Sequence, residues 1–453
     1  MNRRLTLVSS VAGAVLVALD GTVLTVAQPS LQRSLHASYA QVQWTSTAYL
    51  VAVASLLVFA GRLGDRYGQR RMFAIGMLGF GVASAGVGLA PGIGWMIGLR
   101  VAQGVCGALL QPATLGMLRA AFPPDRLAMP LAVRTGAIGL AAAAGPLVGG
   151  ALVSGPGWRA VFFLGVLPAV ALGLVALVLP GEDRPQTSRT PLDLPGALLL
   201  ALTLAALVHT LVARPVSGAA AAAGLGGAAL AGAAFVRHER RVASPLLPPG
   251  AIRSPAIGAA LALLVAASAS LFGTLFVETY VLQRRLGLDP FHSALRSLPL
   301  AVLMVLSALL CPVMLRRLGA RWTAAAATAV LALGVLVLSG ATGALAQCSA
   351  FALLGAGFGT VMVTATHVVV RHTEVAVAGV AGGLQQTALN VGPALGVAAG
   401  TALMGTGPRT ALLVLGAVAA LAVPAARALP ESGVASLTHT PDERVRPGVP
   451  ARR

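Results

Sequence analysis

The chain of 453 residues is too apolar for a soluble globular protein, because 57% of its residues are hydrophobic, only 10% are charged and its mean hydropathy is +0.85. A net charge of +19 would suit nucleic-acid binding in a soluble protein, but all 32 basic residues are arginine and most lie in short connections between apolar segments. Such placement follows the positive-inside rule and predicts a lipid bilayer, and no nucleic acid, as the partner.

Apolar segments of about 20 residues recur along the whole chain, and each could cross a hydrocarbon core of about 30 Å as a helix. The predicted fold class is an all-α polytopic membrane protein with fourteen transmembrane helices and both termini cytoplasmic. The first segment is expected to be a retained helix and not a cleaved signal peptide. The predicted spans are 5–27, 42–61, 72–90, 95–118, 134–154, 161–180, 194–213, 217–236, 257–282, 294–315, 322–341, 347–370, 377–404 and 410–428.

The first span reads AVLVALDGTVLTVA over 14–27 and carries an acid, Asp20, near its middle. A carboxylate at membrane depth is costly unless it is protonated, paired or facing a wet cavity, which makes Asp20 a functional candidate. At about 1.5 Å per residue, Arg100 of the fourth span lies at a similar depth, so the two could share a cavity and couple proton exchange to substrate. In the alternative interpretations, Asp20 bonds the Thr22 hydroxyl and Arg100 extends outward to the membrane surface.

Three weak internal matches indicate a duplicated architecture. GRLGDRYGQRR (61–71) aligns with LRRLGARW (315–322), which pairs Gly68 with Gly319 at an offset of 251 residues. The same offset pairs Gly104 with Gly355, and AAAAGPLVGG (141–150) aligns with TALNVGPALG (387–396) at an offset of 247 residues. We therefore predict an N-terminal six-helix bundle over 1–185, two inserted helices over 186–253, a C-terminal six-helix bundle over 254–430 and a disordered cytoplasmic tail over 431–453.

These segments resemble the major facilitator superfamily, and within it the fourteen-helix drug:proton antiporters of the QacA/EmrB type. GRLGDRYGQRR resembles the loop that follows the second span, and LRVAQGVCGALLQPA (99–113) is similar to the fourth-span motif with Arg100, Gln103 and Gly104 in place. LDGTVLTVAQPSL (19–31) resembles the first-span motif of the fourteen-helix branch, although Thr25 stands where that motif has Asn. AAAAGPLVGG resembles the fifth-span motif of antiporters, with Ala141 in place of its first Gly.

The resemblance implies a cytoplasmic gate in the 61–71 loop, where Asp65 would meet the N-terminal end of a helix in the other bundle, a favourable place for an anion. A solvated basic loop is the alternative. The resemblance also implies that the fifth-span motif seals the two bundles and restricts leak, although the small residues of the motif could simply allow close packing. The predicted gate residues are Gly61, Asp65, Arg66, Gly68, Arg70 and Arg71, and the predicted antiporter motif is Gly145, Pro146, Gly149 and Gly150.

A second group of polar residues lies in the later spans. Glu278, near the outer end of the ninth span, could bind a substrate cation or a second proton, or could form an interfacial salt bridge with Arg284 or Arg285. Gln385, Gln386 and Asn390 of the thirteenth span are polar enough to line a substrate cavity, but could equally bond between helices.

We therefore predict a proton-driven antiporter, not an enzyme, that exports a hydrophobic or cationic small molecule across a bacterial cytoplasmic (inner) membrane. The sequence contains no GxxxxGK[ST] loop and no clustered His/Cys set, so we expect no metal and no cofactor, and the proton gradient as the energy source. The predicted partners are a small-molecule substrate, protons and lipid, with the protein acting as a monomer. The alternatives are an exporter or importer of another metabolite such as a siderophore, a non-transporting sensor and a membrane-embedded transferase.

Overall fold

A computed structural model describes residues 3–123, 126, 128–178, 193–212, 218–242, 245, 254–371 and 378–430. Within these ranges the chain forms helices and no strands. Ten helices are long and apolar enough to cross a membrane. The predicted all-helical, multi-pass class is confirmed, while the predicted number of fourteen spans stays a prediction.

The first half of the described chain follows the predicted spans closely, with one break. Pro168 has no N–H to donate to the carbonyl of Leu164, and the span predicted over 161–180 is divided there into two helices. The helices are α1 (Arg3–Ser34), α2 (Tyr39–Tyr67), α3 (Gln69–Leu89), α4 (Ile93–Ala121), α5 (Ala128–Ser154), α6 (Trp158–Phe163) and α7 (Val166–Val178).

The second half contains an unusually long helical segment, Pro290–Gly340, which is interrupted at Gly319. Asp289 begins it, because its carboxylate accepts the backbone N–H groups of Phe291 and His292. A π-helical turn (Val281–Arg285) extends the helix Pro255–Tyr280, and a 3₁₀ turn (Val423–Ala428) follows the helix Pro408–Ala422. The helices are α8 (Leu194–Val212), α9 (Gly218–Glu239), α10 (Pro255–Tyr280), α11 (Pro290–Gly340), α12 (Ala344–Arg371), α13 (Ala378–Leu403) and α14 (Pro408–Ala422).

The paired glycines of the sequence repeat play the same structural part in each half. Gly68 turns α2 into α3 with φ 97°, and Gly319 breaks α11 with φ 74°. Both values lie in the left-handed region that side chains other than glycine rarely adopt. The alignment of these two positions therefore corresponds to a shared turn.

Close helix contacts repeat at the same offset. A methyl group on Gly104 would lie 2.7 Å from the carbonyl oxygen of Tyr49, and one on Gly355 would overlap the carbonyl oxygen of Leu300. Positions 49 and 300 are separated by the same 251 residues as positions 104 and 355. The weak sequence match thus marks two equivalent helix crossings at which only glycine leaves enough room.

The inserted pair α8 and α9 packs beside both halves, which are α1–α7 and α10–α14. Leu204 lies in one apolar cluster with Val51 of α2 and Ala394 of α13. At the other end of α8, Asp193 accepts the backbone N–H of Gly196 at 2.9 Å and bonds His238 of α9 at 2.7 Å. Burial raises the pKa of Asp193, but the bonds from His238 and Gly196 outweigh that effect and lower the pKa below its usual value.

Two polar side-chain contacts between the halves lie at one end of the molecule. We call the face at which α1 begins the proximal face, and the face at which α1 gives way to α2 the distal face. On the distal side the Gln283 amide donates to the carbonyl of Val26 at 2.9 Å, and the Arg284 guanidinium lies 5.6 Å from the ring centroid of Tyr39. These contacts join α1 and α2 to the end of α10.

Candidate functional site

The structure brings Asp20 and Arg100 into direct contact. Arg100 Nη1 lies 2.7 Å from Asp20 Oδ2, and Gln103 Nε2 donates to Asp20 Oδ1 at 3.0 Å. The Arg100 side chain is 1% exposed and the Asp20 side chain 10% exposed. Thr22 donates to main-chain carbonyls within α1 instead of to Asp20. The arginine therefore turns inward, and the acid is held by the fourth helix.

Three further groups fix the guanidinium of Arg100. Its Nε donates to the carbonyl of Thr45 at 2.8 Å, and its Nη1 donates to Gln103 Oε1 at 2.6 Å. The ring centroid of Tyr49 lies 4.6 Å from its central carbon, close enough for a cation–π contact. Gln103 also bonds Ser84 of α3 at 2.8 Å. Four helices, α1 to α4, thus orient one buried ion pair.

A cavity of about 290 Å³, which we call cavity 1, lies beside this pair and between the two halves. Helices α1, α2, α4 and α5 of the first half and α10 and α13 of the second half line it. Gln386 and Asn390 are among the lining residues, whereas the amide of Gln385 points to α12 and donates to Thr366 at 2.5 Å. Two of the three polar residues predicted on this helix therefore face the cavity.

Glu278 lines a second cavity of about 220 Å³, which we call cavity 2. The residue is 2% exposed, and within the described ranges its carboxyl makes no hydrogen bond or ion pair. Arg284 instead faces the rings of Tyr39 and Tyr280, and does not form the alternative salt bridge. The two cavities are neighbours that share the lining residues Thr22, Thr25, Ile138, Ala142 and Phe272.

Arg134 is a cavity residue that the sequence did not reveal. The predicted span 134–154 begins at this residue, which would place it at the edge of the membrane. Helix α5 begins at Ala128, so Arg134 lies within the helix, and its side chain lines cavity 1. Tyr49, which lies against Arg100, was missed for a different reason, since an aromatic residue in an apolar span is usual.

The predicted gate segment 61–71 spans the turn between α2 and α3 at the proximal face. Asp65 accepts from the side-chain amide of Gln69 at 2.7 Å. Gln69 also packs against Gly64 of α2 and Gly116 of α4, two positions where a methyl group would overlap its side chain. Among the residues that the structure describes, Asp65 has no hydrogen bond to the other half, and residues 372–377 before α13 lie outside the described ranges. The role of Gly61, Asp65, Arg66, Gly68, Arg70 and Arg71 as a gate stays a prediction.

The fifth-span motif touches both halves. A methyl group on Gly145 would overlap the Thr22 hydroxyl of α1, and one on Gly149 would lie 2.8 Å from the carbonyl oxygen of Val23. One on Gly150 would lie 2.8 Å from the carbonyl oxygen of Pro290 at the start of α11. Pro146 lines cavity 2. The motif thus lies at the distal contact between the halves, and its role as a seal stays a prediction.

The whole arrangement can be compared with known proteins. Residues 11–397 match the family model described as Major Facilitator Superfamily. The chain belongs to the Major Facilitator Superfamily. The proteins named below include an export protein, an efflux pump and transporters, which favours a transporter over an enzyme.

The curated relatives of this superfamily member include export proteins. The chain is 37% identical over 449 residues to the tetracenomycin C resistance and export protein of Streptomyces glaucescens, with 94% of this chain and 84% of that protein covered. It is 35% identical to the puromycin resistance protein pur8 of Streptomyces alboniger, with 86% and 80% covered. It is 32% identical to the multidrug efflux pump LfrA of Mycolicibacterium smegmatis, with 86% and 78% covered.

Solved structures confirm the fold. A bacterial homolog of the human lysosomal transporter Spinster, in an inward-facing and occupied conformation, superposes with a TM-score of 0.68 at 15% identity, with 93% of this chain and 95% of that chain covered. The nucleoside transporter NupG superposes with a TM-score of 0.64 at 14% identity, with 94% and 99% covered. At these identities the similarity concerns the fold alone.

Within the described part of the chain, no group of His, Cys, Asp and Glu side chains could hold a metal ion.

Proposed function

We propose that this protein is a proton-coupled antiporter that exports hydrophobic or cationic small molecules across the bacterial cytoplasmic membrane by alternating access. The observation that carries the proposal is the buried Asp20–Arg100 pair, with Arg100 in the wall of a cavity between the two halves. Relatives named for antibiotic resistance, multidrug efflux and export support the direction of transport.

The proposed coupling follows from the charge of Asp20. As a carboxylate, Asp20 neutralises Arg100 and accepts from Gln103. A proton bound to Asp20 would remove the negative charge, and Arg100 would then keep its neutral partners, Thr45, Gln103 and the Tyr49 ring. Because the two charge states differ in stability at this place, proton binding would shift the balance between conformations open to opposite faces. Opening of the distal face would require the Gln283–Val26 contact to break.

We also propose fourteen membrane spans and cytoplasmic termini. Gly319 would divide α11 into two spans, whereas α6 and α7 together would form one. Counted in this way, the fourteen helices give fourteen crossings, and an even number returns the chain to its starting face. The arginine-rich connections favour the cytoplasm for that face. Cysteine labelling from either side would test the orientation, with the native cysteines replaced and single cysteines placed at the exposed positions Ser38 and Tyr67.

The proposal predicts that Asp20→Asn abolishes substrate-driven proton movement, because the variant keeps the shape of the side chain but cannot exchange a proton. Everted vesicles with a preformed proton gradient would be given ethidium, a hydrophobic monocation, and proton release would be followed with a pH-sensitive dye at matched expression. Asp20→Glu, which keeps a carboxyl group, should retain measurable coupling. Wild-type release that persists in Asp20→Asn would refute Asp20 as the proton carrier, and the absence of release from wild type with every compound tested would favour a non-transporting sensor.

Glu278 supports the cationic part of the proposal. Among the described residues that line cavity 2, Glu278 is the only charged one, and the lining also includes Phe272 and Phe351. We expect Glu278→Gln to reduce ethidium efflux at least tenfold while efflux of a neutral dye changes less than twofold, since only a cation gains from the carboxylate. Ser297→Ala serves as the control in the same cavity, because the Ser297 hydroxyl already bonds within its own helix. Equal losses for both dyes would indicate a structural role for Glu278.

A further inference from the structure

Arg134 presents a half-buried positive charge that the proposed mechanism does not use. It lies about two turns into α5 from the proximal end and lines cavity 1 together with Ile138 and Ala142 of the same helix. Its guanidinium donates one hydrogen bond, from Nη2 to the Thr114 hydroxyl of α4 at 3.0 Å. Its Nε is buried and makes no hydrogen bond within the described ranges.

Among the described residues, no acid forms an ion pair with the Arg134 guanidinium. Asp20 is already bonded to Arg100, which lines cavity 1, and to Gln103. Glu278 faces the neighbouring cavity 2 and is not among the residues that line cavity 1. Among the described residues that line cavity 1, Arg134 is therefore a cation without an acidic partner.

An uncompensated guanidinium is costly to bury, because arginine stays protonated and its charge loses hydration. The Thr114 hydroxyl is a weak replacement for water, since it is neutral and its own proton is directed to the Gln111 carbonyl at 2.9 Å. An oxyanion in the cavity would supply the missing charge, and its pairing with a guanidinium fork is among the strongest hydrogen-bonded contacts in proteins.

We propose that Arg134 binds an anionic oxygen of the exported molecule, so that the substrate is a hydrophobic compound with a carboxylate or a similar acidic group. The proposal rests on the proposed function only in identifying the bound molecule as the exported one. Gln386 and Asn390 of the second half line the same cavity and can bond further polar groups of the ligand. A basic group on the same molecule would reach the Glu278 cavity, because the two cavities share a wall.

A phospholipid headgroup offers the same oxyanion chemistry, and Arg134 lies in the half of α5 nearer the proximal face. A lipid phosphate and an exported acid predict different binding behaviour. A lipid phosphate would occupy the guanidinium in any anionic membrane and would exclude an acidic ligand, whereas a substrate site would bind the acidic ligand in that membrane as well.

The test uses two dyes that differ in one functional group, rhodamine B and its ethyl ester. Both carry a cationic ring system, but only rhodamine B has a free carboxylate. Binding to the purified full-length protein in phosphatidylcholine nanodiscs would be measured by fluorescence polarisation. We expect the wild type to bind rhodamine B at least tenfold more tightly than the ester. Arg134→Gln should abolish that preference and leave the affinity for the ester within twofold of wild type.

Arg119→Gln is the matched control, because it removes an exposed arginine from the last turn of neighbouring α4 and should keep the preference. Equal wild-type affinities for the two dyes, or a preference that survives Arg134→Gln, would overturn the proposal. Loss of the wild-type preference in nanodiscs that contain phosphatidylglycerol would assign the guanidinium to lipid and also overturn it. Failure of proton coupling in vesicles would refute the proposed antiport but would leave this binding preference unchanged, so the two results can be separated.

Discussion

Arg100→Gln is expected to lower the free energy of unfolding by about 3–5 kcal/mol and to abolish transport, because it leaves the Asp20 carboxylate buried without its counter-ion. The wild-type pair is joined at 2.7 Å, and the arginine side chain is 1% exposed. Gln103 alone would remain as a donor to the acid. Thermal unfolding of the purified protein in detergent, followed by loss of the monodisperse peak, would measure the change in stability.

A double-variant cycle separates stability from function at this pair. Asp20→Asn/Arg100→Gln removes both charges together, and we expect it to recover most of the stability that Arg100→Gln loses. Transport should remain absent, because neither a proton carrier nor its partner is present. Arg119→Gln, an exposed change on the same helix, should shift the free energy of unfolding by less than about 0.5 kcal/mol. A stable Arg100→Gln protein with normal transport would show that the ion pair is dispensable.

The contact between Asp20 and Arg100 could be anticipated because the rise of a helix is fixed, so depth in the membrane follows from counting residues. The glycines at which helices approach each other closely could also be anticipated, since the absence of a side chain has the same consequence wherever two helices cross. Gly104 and Gly355 illustrate this, because each faces a backbone carbonyl of the neighbouring helix. The depth of a residue along its helix and the sites of close helix approach were therefore predictable from the sequence.

Rotation about the helix axis was not predictable. Gln385 and Gln386 are adjacent in sequence, yet the first bonds Thr366 of α12 and the second lines cavity 1. Adjacent helical residues point about 100° apart, and a helix with apolar residues on most sides gives no pattern to show which side faces protein. The sequence did not reveal the position of Arg134, because no change from polar to apolar residues marks the start of α5. The charged residue lies inside the helix and beside a cavity that other helices help to form.

Gly396→Ala is expected to prevent stable packing of the second half, with a loss of at least about 3 kcal/mol in the free energy of unfolding. A methyl group at this position would overlap the carbonyl oxygen of Ala269 in α10. The methyl carbon is attached directly to one helix backbone, and the oxygen belongs to the other, so neither can rotate aside as a flexible side chain could. The helices α10 and α13 would have to separate, and the contacts along their crossing would be lost.

The equivalent change in the first half should be milder. A methyl group on Gly149 would lie 2.8 Å from the carbonyl oxygen of Val23, a clash that a smaller helix shift relieves. Gly258→Ala in α10 is the control, because nothing lies within 4 Å of the added methyl group, and alanine favours the helix by about 0.5–1 kcal/mol. Melting temperatures should therefore rise in the order Gly396→Ala, Gly149→Ala, wild type, Gly258→Ala. Because the first two positions make equivalent crossings, the reverse order for that pair would mean that the depth of backbone approach does not set the cost, and side-chain packing around each crossing would have to explain it instead.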